Sequence, residues 1–196
     1  MKKCYLLLFL LTCTIAGVCQ PKIDSALYKK LKAMFKEDQK WRIEFNKLYK
    51  HEKSDYDQKT VDRNWALTDS ANEAEAKRII IKYGYPGYSL VGESGSSIFW
   101  AIVQHCDDDV AFQQKVLLLM HKEVKRHNAS GENYAYLKDR VLGNLGQKQL
   151  YGTQGRTDPQ THKWEPLPIS DPANVEIRRK QMGLISLKDY KKEINK

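Results

Sequence analysis

Residues 23–50 read IDSALYKKLKAMFKEDQKWRIEFNKLYK. Apolar side chains recur at Leu27, Leu31, Met34, Phe35, Trp41, Phe45, Leu48 and Tyr49, the three-and-four spacing that gathers them on one face of a helix. Two positions break the row. Extending the stripe from Leu31 and Met34 predicts apolar residues near 38 and 42, where the sequence has Asp38 and Arg42. Four residues apart, they can pair along the helix, yet a charged pair inside an apolar stripe is costly unless fully hydrogen-bonded. The lysines of residues 29–53 alternate with Glu and Asp and read as a solvated face.

Beyond this helix, His51 to Asp57 reads as a linker. The next helix is expected to start near Ser70, where Ser70 and Glu73 match a capping box, and to run through Ile79, Ile80 and Ile81 to Gly84. Gly84-Tyr85-Pro86-Gly87 reads as a turn, and Gly92 and Gly95 extend a loop to Ser96. Ile98 to Gln104 is apolar on nearly every side, as in a buried helix. Asp107, Asp108 and Asp109 then cap a helix whose inner row is Val110, Leu117, Met120 and Val124.

Tyr134 to Leu145 forms a further helix with Tyr134, Leu137, Val141 and Leu145 inward, stopped by Gly146. From Gln154 to Pro168 no period is visible and three prolines interrupt the chain, so an extended loop is expected. Asp171-Pro172 opens a short helix ending at Gly183, and Ser186 with Asp189 opens the last. Strand-like alternation is weak throughout and no internal repeat is evident. The reading is mainly α: a single helical domain of six or seven helices over residues 20–196, core about 23–190, with long irregular loops and no sizeable sheet.

In the other direction, Lys2 and Lys3 precede an apolar run from Tyr5 to Val18 and a small-residue region near Cys19 and Gln20. This is the pattern of a signal peptide spanning residues 1–19, and the run is too short to cross a bilayer comfortably, which takes about 20 residues. Cleavage before Gln20 is the preferred reading, giving a secreted or periplasmic protein. Lipidation of Cys19, which would make an outer-membrane lipoprotein, is the competing one, disfavoured by Val18 at a position that wants a small residue. Membrane association is expected only if Cys19 is lipidated. Loss of the first 19 residues leaves Cys106 as a single thiol, unable to form an internal disulfide. It reads as a small packed hydrophobe.

The formal charge is +9 over 196 residues, enough to attract polyanions, but it is dispersed, and nucleic-acid binding is not expected. His105, Asp107 and Asp109 are metal-ligand types without a standard ligand spacing, so no metal is expected and no cofactor is implied. Ser94, Ser96 and Ser97 lie in a glycine-bearing stretch without a nucleophile elbow.

His105, on the same face as Ile98 and Ile102 at the end of the buried helix, is the best single candidate for chemistry. Its expected company is Asp38 and Arg42 from the first helix, Gln104 beside it, Asp139 and Arg140 from the Tyr134 helix, and Gln149, Tyr151 and Gln154 beyond Gly146. If these helices share a core, the polar groups either satisfy one another or leave an opening for a ligand.

The combination of Asp38-Gln39 with Arg42, Gly84-Tyr85-Pro86, Val91-Gly92, Val103-Gln104-His105, Ala135-Tyr136-Leu137 with Asp139-Arg140, Gln149 with Tyr151-Gly152-Thr153-Gln154, and Arg178-Arg179 with Gly183-Leu184 resembles an uncharacterised bacterial family, the domain of unknown function numbered 6624. The resemblance runs from about Leu27 to Tyr190. It implies that the polar elements form one recurring set, and brings no substrate, reaction or cofactor. One departure is Tyr85, where the family is expected to carry tryptophan more often.

The functional expectation is a polar pocket. His105 would be a general base or hydrogen-bond donor, Asp139 would orient it or bind a hydroxyl, and Arg42 or Arg140 would hold an anionic group of an unknown small molecule or envelope component. A hydrolase of a small or cell-envelope-derived substrate is the enzymatic version. The alternative is a non-catalytic periplasmic ligand-binding or interaction domain, its polar residues forming a structural network.

Overall fold

The structure is a computed structural model that describes residues 23–196; the signal-peptide reading of residues 1–19, with Cys19, lies outside them. The described residues form a mainly α fold: α1 (Ser25–Tyr49), α2 (Gln58–Tyr83), α3 (Tyr88–Gln104), α4 (Val110–Lys125), α5 (Gly131–Asn144), α6 (Val175–Gln181) and α7 (Leu187–Ile194). A two-stranded antiparallel hairpin, β1 (Gly155–Thr157) and β2 (Trp164–Pro166), lies between α5 and α6. No described helix is long and apolar enough to cross a membrane.

The helices begin where short polar side chains capture free backbone N–H groups. Asp24, Asp57, Asp109, Ser130 and Ser186 each cap one, accepting from Leu27, Thr60, Phe112, Asn133 and Asp189 respectively; the four leading N–H groups of a helix have no partner within it. α1 packs along α2 and α3, α4 pairs with α5, and α3 touches all four. That central position explains its apolar surface: Val91, Phe99, Ile102 and Val103 are buried with Leu27 and Leu31 of α1, Ile79 and Ile80 of α2, Val116 and Met120 of α4, and Leu137 and Val141 of α5.

Four boundaries depart from the sequence reading. α2 starts at Gln58 rather than near Ser70, because Asp57 caps it, Val61 is buried, and Trp65 packs edge-on against Phe45 at 5.0 Å. Ser70 is an exposed mid-helix residue. The stretch expected as a loop through Gly92 and Gly95 is helical, kinked at Gly92, whose φ of 72° is readily adopted only by glycine. At Gly95 the reason is space: a Cβ would sit 2.7 Å from Val91 Cβ and 3.0 Å from Tyr28 Cδ2, so glycine lets α3 approach α1. α5 begins at Gly131 behind its Ser130 cap, and Leu145, expected inward, is its exposed C-cap residue. Part of the expected loop after Gln154 is the β1–β2 hairpin, with Arg156 opposite Glu165.

Candidate functional site

The break in the α1 stripe is a core position. Leu27, Leu31, Asp38 and Trp41 are all buried, and the Asp38 side chain has no exposure. Its carboxylate meets the end of α3, where His105 Nδ1 lies 2.9 Å from Asp38 Oδ1. Because an ionised carboxylate only accepts, Nδ1 must carry the proton in this contact. Arg42 Nε lies 3.2 Å from both Asp38 Oδ2 and His105 Nδ1; with Nδ1 donating, the Arg42 proton goes to Asp38 Oδ2. Gln39 Nε2 donates to the same oxygen at 2.8 Å. His105 Nε2 has no hydrogen-bond partner among the described residues, and the side chain is 24% exposed. The ring is therefore held on one edge and open on the other.

Arg42 ties this pair to α2. One terminal nitrogen donates to Asp38 Oδ1 at 3.1 Å and to Asp69 Oδ1 at 2.8 Å, while Asp69 Oδ2 accepts from the Trp65 indole N–H at 2.7 Å. The guanidinium lies 4.6 Å from the Trp65 ring centroid, a cation–π contact. Burial pushes the Asp38 carboxyl up, but the His105 hydrogen bond and the charges of His105 and Arg42 outweigh it, and the net shift is downward. At Asp69 burial prevails over Arg42 and Trp65, and the net shift is upward. Two carboxylates sharing one arginine are thus pushed apart in acidity by their surroundings.

The open edge of His105 borders a cleft of about 410 Å³ whose other lining residues include Asp62, Trp65, Asp69, Ser70 and Glu73 of α2 and Asp108 of the α3–α4 turn. Trp65 and Asp69 were missed in the sequence because α2 was started too late; their spacing of four and the capping pattern of Asp57 were the available signals.

The remaining sequence candidates assemble elsewhere. Asp139, fully buried on α5, accepts from the N–H groups of Leu150, Tyr151 and Thr153 at 2.7–3.1 Å and from the Thr153 hydroxyl at 3.0 Å. The same segment is held from its carbonyl side: Arg178 Nε donates to Leu150 O at 2.8 Å, and buried Arg179 donates to Tyr151 O at 2.6 Å and Ile185 O at 2.7 Å. Gln149 closes the turn with its own amide, donating to Gln154 O and Leu167 O and accepting from Gln154 N. Tyr151 is buried, its phenol pushed up to about 12 by desolvation. Asp139, Gln149, Tyr151, Gln154, Arg178 and Arg179 thus build one clamp around residues 149–154.

Arg140 makes a two-pronged pair with Asp107, which also accepts from Asn144 and Gln113. Burial raises the Asp107 carboxyl, but Arg140 and these amides bring it below its ordinary value. Gln104 ends α3, and its carbonyl accepts from buried Gln113. The polar set therefore divides: Asp38, Arg42 and His105 meet with Asp69 and Trp65, while the hydrogen bonds of Asp139 and Arg140 go to the clamp and to Asp107. Arg42 and Arg140, expected to hold an anion, are both engaged by carboxylates, and neither lines the cleft.

Cys106, next to His105, is buried and donates to Ile102 O; burial, reinforced by nearby Glu73 and Asp69, pushes its thiol up to about 12. It is suited to packing rather than nucleophilic chemistry. Among the described residues no group of three or more His, Cys, Asp or Glu is placed to hold a metal ion.

No curated protein and no solved structure matches the chain. The model of a family described as a family of unknown function (DUF6624) matches residues 25–196, and the chain belongs to that family.

Proposed function

We propose that the chain is an exported domain that binds a small polar molecule in the cleft beside His105 and hydrolyses it, with His105 Nε2 as the general base. The observation that carries this reading is the one-sided bonding of His105. Asp38 fixes Nδ1–H, which leaves the Nε2 lone pair at the cleft wall, and the buried carboxylate can stabilise the imidazolium formed when Nε2 takes a proton from water. Arg42, bonded to Asp38 and Asp69, holds both carboxylates in place. Export rests on the pattern of Lys2, Lys3, the apolar run and the small residues before Gln20.

The test is a thermal-shift screen against small envelope-derived compounds, followed by hydrolysis assays of the compounds that bind. The reading predicts at least one hydrolysed compound whose turnover falls by about 10²-fold or more in His105→Ala, the range typical of a general base. Undiminished hydrolysis in that variant would overturn the assignment. N-terminal sequencing of protein from expressing cells should begin at Gln20; a retained Met1 would overturn the export reading.

A second reading has its own support: the Asp38, Arg42, Asp69 and Trp65 side chains hydrogen-bond one another, as they would in a non-catalytic binding or interaction domain where they fix helix packing. Binding in the screen without turnover of any compound would favour it.

A further inference from the structure

The charge of the cleft runs against that of the chain. Lys and Arg number 33 against 24 Asp and Glu overall, yet the cleft is lined by Asp62, Asp69, Glu73 and Asp108 and by no lysine or arginine. The two cations behind this wall are already shared. Arg42 lies between Asp38 and Asp69, and Lys77 pairs with both Glu73 and Asp109 at 2.6 Å. Neither has a spare charge to offer a ligand. Among the described residues Asp62 is engaged by the neutral amide of Gln58 and by no cation, and exposed Asp108 likewise has no ion-pair partner there.

The cleft also presents the Trp65 indole, one face of which already carries a guanidinium. An aromatic ring beside carboxylates is a favourable setting for an ammonium, which is drawn to the ring quadrupole as well as to the charges. His105 adds Nε2, which when unprotonated can take a hydrogen bond from an amine or a hydroxyl. An anionic ligand would face four carboxylates and gain no cation. At about 410 Å³ the cleft suits a small molecule of roughly sugar to disaccharide size.

Resting on the reading of this cleft as a ligand site, we propose that its ligand is a small molecule bearing a protonated amine, drawn into the cleft by the negative charge of its Asp62, Asp69, Glu73 and Asp108 lining, with the Trp65 ring and His105 Nε2 as its neutral contacts.

Three probes of one ring size separate charge from shape: glucosamine with its amine protonated, glucose and glucuronate. Each is titrated into the ¹⁵N-labelled protein while the Trp65 indole N–H and the backbone amides of residues 62–73 are followed. The expected result is saturable shifts with glucosamine, weakened by salt, with glucose binding more weakly and glucuronate not at all. Asp62→Asn and Asp108→Asn neutralise rim charges that do not hold His105. Each should weaken glucosamine binding about fourfold, the Coulomb effect of charges about 5 Å apart in water-like surroundings, and leave glucose binding unchanged. Glucuronate or glucose binding as tightly as glucosamine, or no loss in either variant, overturns the amine assignment while the site stands. Shifts with none of the three overturn the amine assignment and the site together.

Discussion

Replacing Asp139 by asparagine tests the division of the polar residues into two groups. The carboxylate is fully buried and accepts from three backbone N–H groups and one hydroxyl of residues 150–153. In Asp139→Asn the shape is kept, but one oxygen becomes an NH₂ group. If the remaining oxygen keeps Leu150 and Tyr151, the new donor faces the Thr153 N–H, which is then stranded; the Thr153 hydroxyl can rotate to accept from it. A buried unpaired N–H costs about 1–3 kcal/mol, and each surviving bond loses its charge assistance, worth roughly 0.5–1 kcal/mol apiece. The sum is about 4 kcal/mol, or a fall in Tm of roughly 10 °C for a chain of this length. Circular dichroism through thermal and urea unfolding measures it, and the amide signals of Leu150 to Thr153 should shift most. A loss below about 1 kcal/mol, or lost ligand response with unchanged Tm, would refute the structural role of Asp139 and return it to the company of His105.

Other outcomes follow from the same geometry. His105→Ala removes a hydrogen bond from the buried Asp38 carboxylate and should cost about 1.5–3 kcal/mol, the worth of a bond to a charged group, while abolishing ligand-induced stabilisation; ligand-induced stabilisation that survives in this variant would place His105 outside the site. The net downward shift of Asp38 from its ordinary value of 3.8 means that the native state binds its proton less readily than the unfolded chain. Its contribution to stability is complete above that value and lost as pH falls through the lower folded value, so Asp38→Asn should flatten the acid limb of a stability-versus-pH curve, and an unaltered limb would contradict the pairing. Cys106, with its thiol pushed up to about 12, should react with a thiol-specific disulfide reagent only after unfolding; rapid labelling of the native protein would contradict its burial. Gly95→Ala should cost about 1–3 kcal/mol, as overpacking does, because the added methyl meets Val91 and Tyr28; a neutral or stabilising result in urea unfolding would show that α1 and α3 are not in close contact there.

The helical class was legible because apolar periodicity is a one-dimensional trace of burial, and α1 shows it plainly. The site was half legible for the same reason: Asp38 stands where the stripe demands an apolar residue, and it is buried. Its partners on α2 escaped because the first half of that helix is polar almost all round, with Val61 and Trp65 as its main apolar anchors, so no stripe announced it. The assignment of Asp139 to the clamp rather than to His105 was not legible. It depends on where the chain goes after Gly146, through a segment that folds by side chain to backbone hydrogen bonds and has no period to read. Spacing likewise identified the Ser186 and Asp189 capping pair, whereas Ser70 and Glu73 matched the same pattern in the middle of a helix that the Asp57 cap and the burial of Val61 start at Gln58.

The turn closed by Gln149 has a consequence for how the chain can change. Gln149 exchanges backbone hydrogen bonds with residues 168–170, and its side chain reaches Gln154 and Leu167, while Leu167 N–H meets Gln154 O. The hairpin at 155–166 therefore leaves from and returns to one fixed point; its second strand rests on α7 through Trp164 against Tyr190, while its tip, residues 159–163, is exposed. Lengthening a loop whose ends are already held together costs only a logarithm of the added length. This is the place where a relative could gain a long insertion, or an engineer could graft a peptide or a fluorescent domain, while the cleft beside His105 keeps its shape.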